Sequence, residues 1–140
     1  MGELVYLDSS AIVKLVVREK ESAALRRFLE SHPRRITSVL AVVEVHRAVR
    51  RAGAPLKVRR RASDVVAGLA LLVLDDAIVQ SAAVLKGRYL RALDAIHLAS
   101  ALSLEADLDC MVAYDDRLAR AAAEAGVKVE APAPKSGRRR

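Results

Sequence analysis

Two short apolar segments of this chain each end at an aspartate and are each followed at once by an amphipathic segment. Residues 4–7 run into Asp8, and residues 110–113 run into Tyr114 and Asp115. This spacing predicts a strand, a turn and a helix at both places. Because unbroken apolar runs are typical of strands that are buried on both faces, the chain is predicted to build a parallel sheet.

The rest of the sequence continues this alternation of strands and helices. Further strands are predicted at residues 35–37, 69–74 and 127–129. Helices are predicted after Asp8 and over residues 21–29, 39–51, 77–85, 93–104 and 117–124, with a basic helix after the turn at 53–55. Asp76 is expected to cap the helix that begins at residue 77. The predicted fold class is α/β, a three-layer α/β/α sandwich around a central, mainly parallel sheet.

One domain is predicted to account for most of the chain. The length of 140 residues is close to the common size of a single globular domain. Residues 1–130 are predicted to form that domain. Residues 131–140 are rich in Pro and Arg and lack large apolar side chains, so we expect a flexible basic tail.

The basic residues are unevenly distributed along the sequence. The net charge is +7, but residues 47–61 and the last six residues together hold 11 of the 24 basic residues. The rest of the chain has 13 basic and 17 acidic residues. An acidic body with two basic attachments fits a polyanionic partner held against carboxylates, an arrangement that is repulsive unless a cation intervenes.

The composition also limits the cellular compartments in which this chain is expected. Cys110 is the only cysteine, which excludes an intrachain disulfide and a thiolate metal cluster and favours a reducing cytoplasm. The longest apolar run, residues 65–74, has ten residues where a membrane-spanning helix needs roughly 20. We therefore expect a soluble, cytoplasmic protein that does not bind a membrane. With one Phe, three Tyr and no Trp, contacts to any nucleic acid are expected to be mostly electrostatic.

Four carboxylates from separate predicted elements are expected near one edge of the sheet. Asp8 and Asp115 follow two strands, Asp94 begins a helix, and Glu44 lies in an apolar helical stretch. In an open α/β sheet, ligands bind outside the carboxyl ends of the strands. Taken singly, the aspartates are readable as ordinary helix caps and Glu44 as an exposed helix residue. Taken together, they predict a site for Mg²⁺ or Mn²⁺ and metal-dependent phosphodiester hydrolysis.

Four sequence motifs carry a resemblance to a known family. They are VYLDSSAIVKL at residues 5–15, SVLAVVEVHRA at 38–48, LRALDAIHLASAL at 90–102 and MVAYDDRLARAAAEAGV at 111–127. In order and spacing they resemble the PIN-domain family, in particular the VapC toxins of type II toxin–antitoxin pairs. The resemblance spans nearly the whole chain.

The resemblance implies an activity and a set of site residues. It implies an Mg²⁺- or Mn²⁺-dependent endoribonuclease in which Asp8, Glu44, Asp94 and Asp115 bind metal and act in catalysis. Ser9 or Ser10 resembles the small hydroxyl residue that follows the first aspartate in the family and orients it or contacts phosphate. The resemblance also implies neutralisation by a small cognate antitoxin of the VapB type and assembly into a homodimer or higher oligomer.

The sequence departs from the family pattern near the fourth acid. Ala113 stands where the family often has Thr, which removes one hydroxyl near the metal. Asp115 and Asp116 are adjacent, and the motif favours Asp115, with Asp116 as a helix cap or supporting partner. His97, one helical turn after Asp94, is interpreted as a packed or hydrogen-bonded histidine in preference to a proton shuttle.

Basic residues follow Glu44 closely and have two interpretations. They either hold an RNA backbone at the approach to the acidic pocket or form an ordinary solvated helix face. The candidate RNA-binding residues are Arg47, Arg50, Arg51, Arg59, Arg60 and Arg61.

The alternative to an enzyme is a noncatalytic PIN-like module that binds RNA or protein. Occupation of all four acidic positions favours the enzyme. A phosphotransfer protein of the haloacid dehalogenase type is disfavoured, because its motif needs a second aspartate where this chain has Ser10. Metal-dependent cleavage of RNA separates the enzyme from the noncatalytic module.

Overall fold

The computed structural model describes residues 2–135. Five strands within these residues form a single sheet: β1 (Leu4–Leu7), β2 (Arg35–Ser38), β3 (Ala70–Leu72), β4 (Leu108–Val112) and β5 (Val129–Glu130). The strand order is β3-β2-β1-β4-β5, and every neighbouring pair is parallel. The predicted parallel sheet is therefore confirmed.

Helices connect the strands in chain order. They are α1 (Ser9–Val16), α2 (Ser22–Glu30), α3 (Val39–Arg51), α4 (Leu56–Ala67), α5 (Asp76–Ala83), α6 (Ala92–Leu102) and α7 (Asp116–Glu124), with a short 3-10 helix at Glu105–Asp107 before β4.

Two apolar cores lie on opposite faces of the sheet. Val5 and Leu7 of β1 pack in a core with residues of α1 to α4. Tyr6, between them, belongs to a second core with residues of α6 and α7. Successive side chains of a strand point to opposite faces, so this division shows that helices cover both sides. The three-layer α/β/α sandwich is confirmed.

The third strand differs from its prediction. A fully buried strand was expected over residues 69–74, but β3 spans only Ala70–Leu72, and Ala70 and Leu71 are exposed. The reason is its place at the edge of the sheet, where β2 is its only strand neighbour. An apolar run alone does not distinguish an edge strand from a central one.

The cap of α5 and the position of the last strand also differ from the predictions. Asp75, not Asp76, is the N-cap of α5, since its Oδ1 accepts a hydrogen bond from the amide of Ile78 at 2.9 Å. Asp76 is the first helical residue. The last strand, expected over residues 127–129, spans Val129–Glu130. Both shifts are of one or two residues, the usual uncertainty of an element boundary.

Three helices begin at the carboxyl edge of the sheet, directly after a strand or one turn beyond it. The N-caps of α1, α3 and α7 are Asp8, Ser38 and Asp115, and the side chain of each accepts a hydrogen bond from a backbone amide of its helix. We call this edge the rim. Because the strands are parallel, the rim gathers residues that are far apart in the sequence.

Cys110 is buried in the centre of β4. The residue is 1% exposed and belongs to the core formed with α1 to α4. Burial, with the nearby charges of Asp109 and Glu130, raises the pKa of the Cys110 thiol to about 12. The thiol therefore behaves as a small apolar core group at neutral pH.

The predicted tail begins with a segment that is tied to the rim. Residues 131–135 contain no helix or strand, but the hydroxyl of Tyr114 donates a hydrogen bond of 2.7 Å to the carbonyl of Pro132. The rest of the predicted tail lies outside the described residues. No helix within residues 2–135 has the length and apolar character needed to cross a membrane.

Candidate active site

Asp8 is the most buried carboxylate of the predicted site. Its side chain lies at the end of β1 with the residue 3% exposed. One oxygen, Oδ1, accepts hydrogen bonds from Ser10 Oγ at 2.7 Å and from the amide of Ala11 at 2.9 Å. Burial raises the pKa of Asp8 to about 6, and the negative charge of Glu44 adds to the increase. The hydrogen bonds and His97 oppose that increase only in part.

Ser10 links the segments that follow two neighbouring strands, β1 and β4. Besides donating to Asp8, its Oγ accepts a hydrogen bond of 3.1 Å from the amide of Tyr114, the residue before Asp115. The sequence left open whether Ser9 or Ser10 supports the first aspartate. The contacts of Ser10 favour Ser10, and no hydrogen bond of the Ser9 hydroxyl occurs among the described residues.

Glu44 is held by a buried histidine. The Nε2 atom of His97 lies 2.6 Å from Oε1 of Glu44, and Nδ1 lies 2.7 Å from the hydroxyl of Tyr6. His97 is 1% exposed, while the side chain of Glu44 is 20% exposed. The interpretation of His97 as a packed, hydrogen-bonded histidine is confirmed. Sequence reasoning missed Tyr6, which is an ordinary apolar strand position in the pattern.

Asp94 and Asp115 lie close enough to influence each other electrostatically. Burial raises the pKa of Asp94, and the charges of Asp115 and Glu44 raise it further. Asp94 lies in the first turn of α6 and is half-buried. Asp115 caps α7 through a hydrogen bond of 2.9 Å from the amide of Leu118. Its neighbour Asp116, considered as a cap in the sequence, is exposed and is the first residue of α7.

The four carboxylates share one electrostatic neighbourhood but do not form a closed ligand set. The charge of Glu44 raises the pKa of both Asp8 and Asp94, and the charge of Asp115 also raises the pKa of Asp94. Within residues 2–135, no group of three or more His, Cys, Asp or Glu side chains is arranged to hold a metal ion. Two of the carboxylates are engaged as helix caps, each through one oxygen.

The donor chemistry nevertheless fits a hard cation. All four predicted ligands offer carboxylate oxygens, the type that Mg²⁺ and Mn²⁺ prefer. Among the described residues, no Lys or Arg nitrogen lies within 4.0 Å of the carboxylates of Asp8, Glu44, Asp94 or Asp115. Carboxylates that repel one another without a Lys or Arg partner are stabilised by a cation.

The predicted RNA-binding arginines have different surroundings. Arg47, Arg50 and Arg51 are exposed on α3, and Arg50 and Arg51 lie in its last turn, about 9–11 Å along the axis from Glu44. On α4, Arg60 and Arg61 are both exposed, and Arg61 also donates a hydrogen bond of 3.1 Å to the carbonyl of Val16 at the end of α1.

Arg59 is half-buried on α4, and its Nε is buried without a hydrogen-bond partner in the described part of the chain. Of the six arginines, Arg59 alone is half-buried, and the other five are exposed. Binding of RNA by the group stays a prediction.

A sequence profile of the PIN domain matches residues 5–124. The chain belongs to the PIN-domain family. One relative of this PIN-domain protein, ribonuclease VapC46 of Mycobacterium tuberculosis (strain ATCC 25618 / H37Rv), is 49% identical over 129 residues, which cover 91% of this chain and 97% of that protein. The PIN-domain protein is therefore a VapC-type ribonuclease, and the resemblance seen in the four motifs is confirmed.

Solved structures share the same fold. The crystal structure of VapBC2 from Rickettsia felis, bound to a DNA fragment from its promoter, matches with a TM-score of 0.72 and 13% identity over 91% of this chain and 97% of that one. A toxin–antitoxin complex from Klebsiella pneumoniae matches with a TM-score of 0.64 and 18% identity over 81% and 88%. Structural neighbours of this PIN-domain protein thus include toxin–antitoxin complexes.

Proposed function

We propose that this VapC-type ribonuclease is an endonuclease that hydrolyses RNA phosphodiester bonds at the rim with Mg²⁺ or Mn²⁺. Asp8, Glu44, Asp94 and Asp115 are the proposed metal-binding and catalytic residues. The observation that carries the proposal is Asp8, a carboxylate that is 3% exposed, is repelled by the charge of Glu44 and has no Lys or Arg nitrogen within 4.0 Å among residues 2–135. Such a group is costly for folding and is typical of a functional site.

Each proposed ligand is oriented by a neighbour. The hydroxyl of Ser10 and the amide of Ala11 fix Oδ1 of Asp8, which leaves Oδ2 without a hydrogen bond from the described residues. His97 fixes Oε1 of Glu44 in the same way. When bound, a divalent cation lowers the pKa of water and polarises a phosphoryl oxygen. Hydrolysis then consumes one water and breaks one P–O ester bond, leaving a phosphate end and a hydroxyl end.

The proposed macromolecular partners are RNA, a VapB-type antitoxin and a second copy of this chain. Exposed arginines on α3 and α4 supply positive charge for the RNA backbone. The side chains of Val73, Val79 and Val84 are 67%, 46% and 78% exposed. Val73 and Val84 line a groove of about 1060 Å³ that is bounded by α5, α6 and α7. Exposed apolar side chains at this density support a protein interface, which we assign to the second copy. Light scattering of Val84→Asp tests that assignment by loss of the dimer.

The decisive experiment for catalysis is sequencing of RNA ends after incubation of total RNA with the purified protein. Cleavage at defined positions is expected with Mg²⁺ or Mn²⁺ and is expected to stop with a chelator. Asp8→Asn is the control, since the amide keeps the hydrogen bonds of the side chain but removes its charge. Binding of RNA without cleavage, with or without metal, would establish the noncatalytic PIN-like module instead.

A further inference from the structure

A second groove lies next to Asp116, the residue that follows the proposed ligand Asp115. It has a volume of about 360 Å³ and lies between residues 87–90 and one face of α7. We call it the Tyr89 groove. Arg117, Arg120 and Glu124 line it at positions three and four residues apart, which places them on the same face of the helix.

Residues that neighbour two of the four proposed ligands in the sequence line the Tyr89 groove. On one wall, Leu90 precedes Arg91, the N-cap of α6, and Asp94 follows in the first turn. On the other wall, Asp116 comes directly after Asp115. The lining of the groove therefore comes within four residues of Asp94 and one residue of Asp115, which places it beside the proposed cleavage site.

The wall of the groove formed by residues 87–90 contains an exposed aromatic ring, that of Tyr89. Tyr89 is 69% exposed, and the guanidinium of Arg88 lies 5.5 Å from the centre of its ring. The other rings are already engaged: Tyr6 is buried, Tyr114 donates to Pro132, and Phe28 stacks on His32 at 4.2 Å. Apart from the contact with Arg88, the Tyr89 ring is open to solvent, and a nucleobase is a flat ligand that stacks on such a ring whatever its sequence.

The groove also carries unpaired positive charge. Within residues 2–135, the guanidinium groups of Arg88, Arg117 and Arg120 have no carboxylate partner within 4.0 Å. The carboxylates of Asp116 and Glu124 also line the groove, so cations outnumber anions by one. The guanidinium groups of Arg117 and Arg120, next to a ring on which a base can stack, match the phosphates and bases of a single strand.

We propose that the Tyr89 groove binds single-stranded RNA next to the scissile bond, with one base stacked on Tyr89 and phosphates held by Arg117 and Arg120. This inference rests on the proposed ribonuclease function and adds a binding site to it. The site lies apart from the arginines of α3 and α4, and it includes a stacking contact. Recognition of RNA is then partly aromatic, although the composition predicted mostly electrostatic contacts.

The test measures binding and cleavage separately. The probe is a fluorescein-labelled single-stranded RNA of mixed sequence and about 12 nucleotides, followed by anisotropy in an Asp8→Asn background so that it is not cut. Tyr89→Ala is expected to weaken binding by about 5- to 150-fold, while Tyr89→Phe keeps it. Arg117→Ala with Arg120→Ala is expected to weaken binding and to lower the slope of log affinity against log salt by about 1.4. Tyr89→Ala is expected to leave that slope unchanged.

Arg27→Ala provides the matched control, because Arg27 is an exposed arginine on α2 outside the groove. Thermal melting and light scattering of every variant check the fold and the oligomeric state. Wild-type affinity and salt slope in the Tyr89 and Arg117/Arg120 variants would overturn the proposal, as would a change of oligomeric state without loss of RNA binding. Failure of the wild-type protein to cut any RNA with metal would instead overturn the proposed function, since cleavage is scored in the Asp8-containing protein.

Discussion

The imidazole of His97 lies 2.6 Å from the carboxylate of Glu44, and its other nitrogen lies 2.7 Å from the hydroxyl of Tyr6. Burial raises the pKa of Tyr6, so the phenol stays protonated and donates to Nδ1. We therefore assign the ring proton to Nε2, which donates to Glu44. The three residues form a chain of hydrogen bonds from the sheet to the rim.

This chain predicts a loss of both stability and activity in His97→Ala. The substitution leaves the buried hydroxyl of Tyr6 without its partner, which costs about 1–3 kcal/mol of unfolding free energy. It also frees the Glu44 carboxylate, so kcat is expected to fall by at least about tenfold. Urea unfolding and cleavage rates measure the two effects. Wild-type kcat in a destabilised His97→Ala would show that the histidine serves only packing.

His97→Gln supplies the matched comparison. Its amide nitrogen can still donate to Glu44, so kcat is expected to recover in part. Tyr6→Phe removes only the hydroxyl and is expected to cost about 1 kcal/mol with a smaller effect on kcat.

Asp8→Asn is expected to stabilise the metal-free protein at neutral pH. The folded-state pKa of Asp8 is about 6, above its ordinary value of 3.8. The protonated form of Asp8 is therefore favoured in the folded state. The contribution of Asp8 to the free energy of unfolding is fully present below about pH 4 and is lost as the pH rises through 6. At pH 7 the gain in the variant is at most about 3 kcal/mol. Chemical unfolding at pH 4 and pH 7 measures it, and an equal effect at both values would contradict the ionisation argument.

Divalent cations are expected to make the wild-type protein more stable than Asp8→Asn. A ligand that binds only the folded state raises stability with its concentration. Mg²⁺ or Mn²⁺ is expected to raise the Tm of the wild-type protein and to leave the Tm of Asp8→Asn nearly unchanged. Thermal melts across a metal titration, with Ca²⁺ and a chelator as references, provide the measurement. Parallel shifts in both proteins would place the bound cation away from Asp8.

The adjacent serines Ser9 and Ser10 offer a matched pair of variants. Ser10→Ala removes the hydroxyl that contacts both the Asp8 carboxylate and the Tyr114 amide. We expect a loss of about 1 kcal/mol and a clear reduction in kcat. Ser9→Ala is expected to resemble the wild type in urea unfolding and in cleavage rate. The opposite ranking would assign the supporting role to Ser9.

Elements with a strong local signal were predictable from the sequence. The apolar runs before Asp8 and Asp115 gave β1 and the end of β4, because an unbroken run fits a strand covered on both faces. The edge position of β3 was not predictable, since exposure there depends on which strands neighbour it. The N-cap of α5 was predicted as Asp76 and is Asp75 in the structure, because two adjacent aspartates offer the same capping group.

The acidic residues of the candidate site were predictable from the sequence, whereas the residues that form hydrogen bonds with them were less so. Asp8, Glu44, Asp94 and Asp115 stood out through motif spacing. The bond between Tyr6 and His97 joins residues 91 positions apart and leaves no periodic trace in one sequence. The Tyr89 groove was missed for the same reason, because it forms only when residues 87–90 pack beside α7. The one available signal was a tyrosine beside arginine in a glycine-containing loop.

The burial of Cys110 makes this protein convenient for single-molecule work. A thiol that is 1% exposed, with a pKa of about 12, has almost no thiolate at pH 7 to attack a maleimide dye. A cysteine introduced on an exposed position can therefore be labelled selectively without replacing the native one. Fluorescence transfer from such a label could follow the arrival of RNA at the rim in real time.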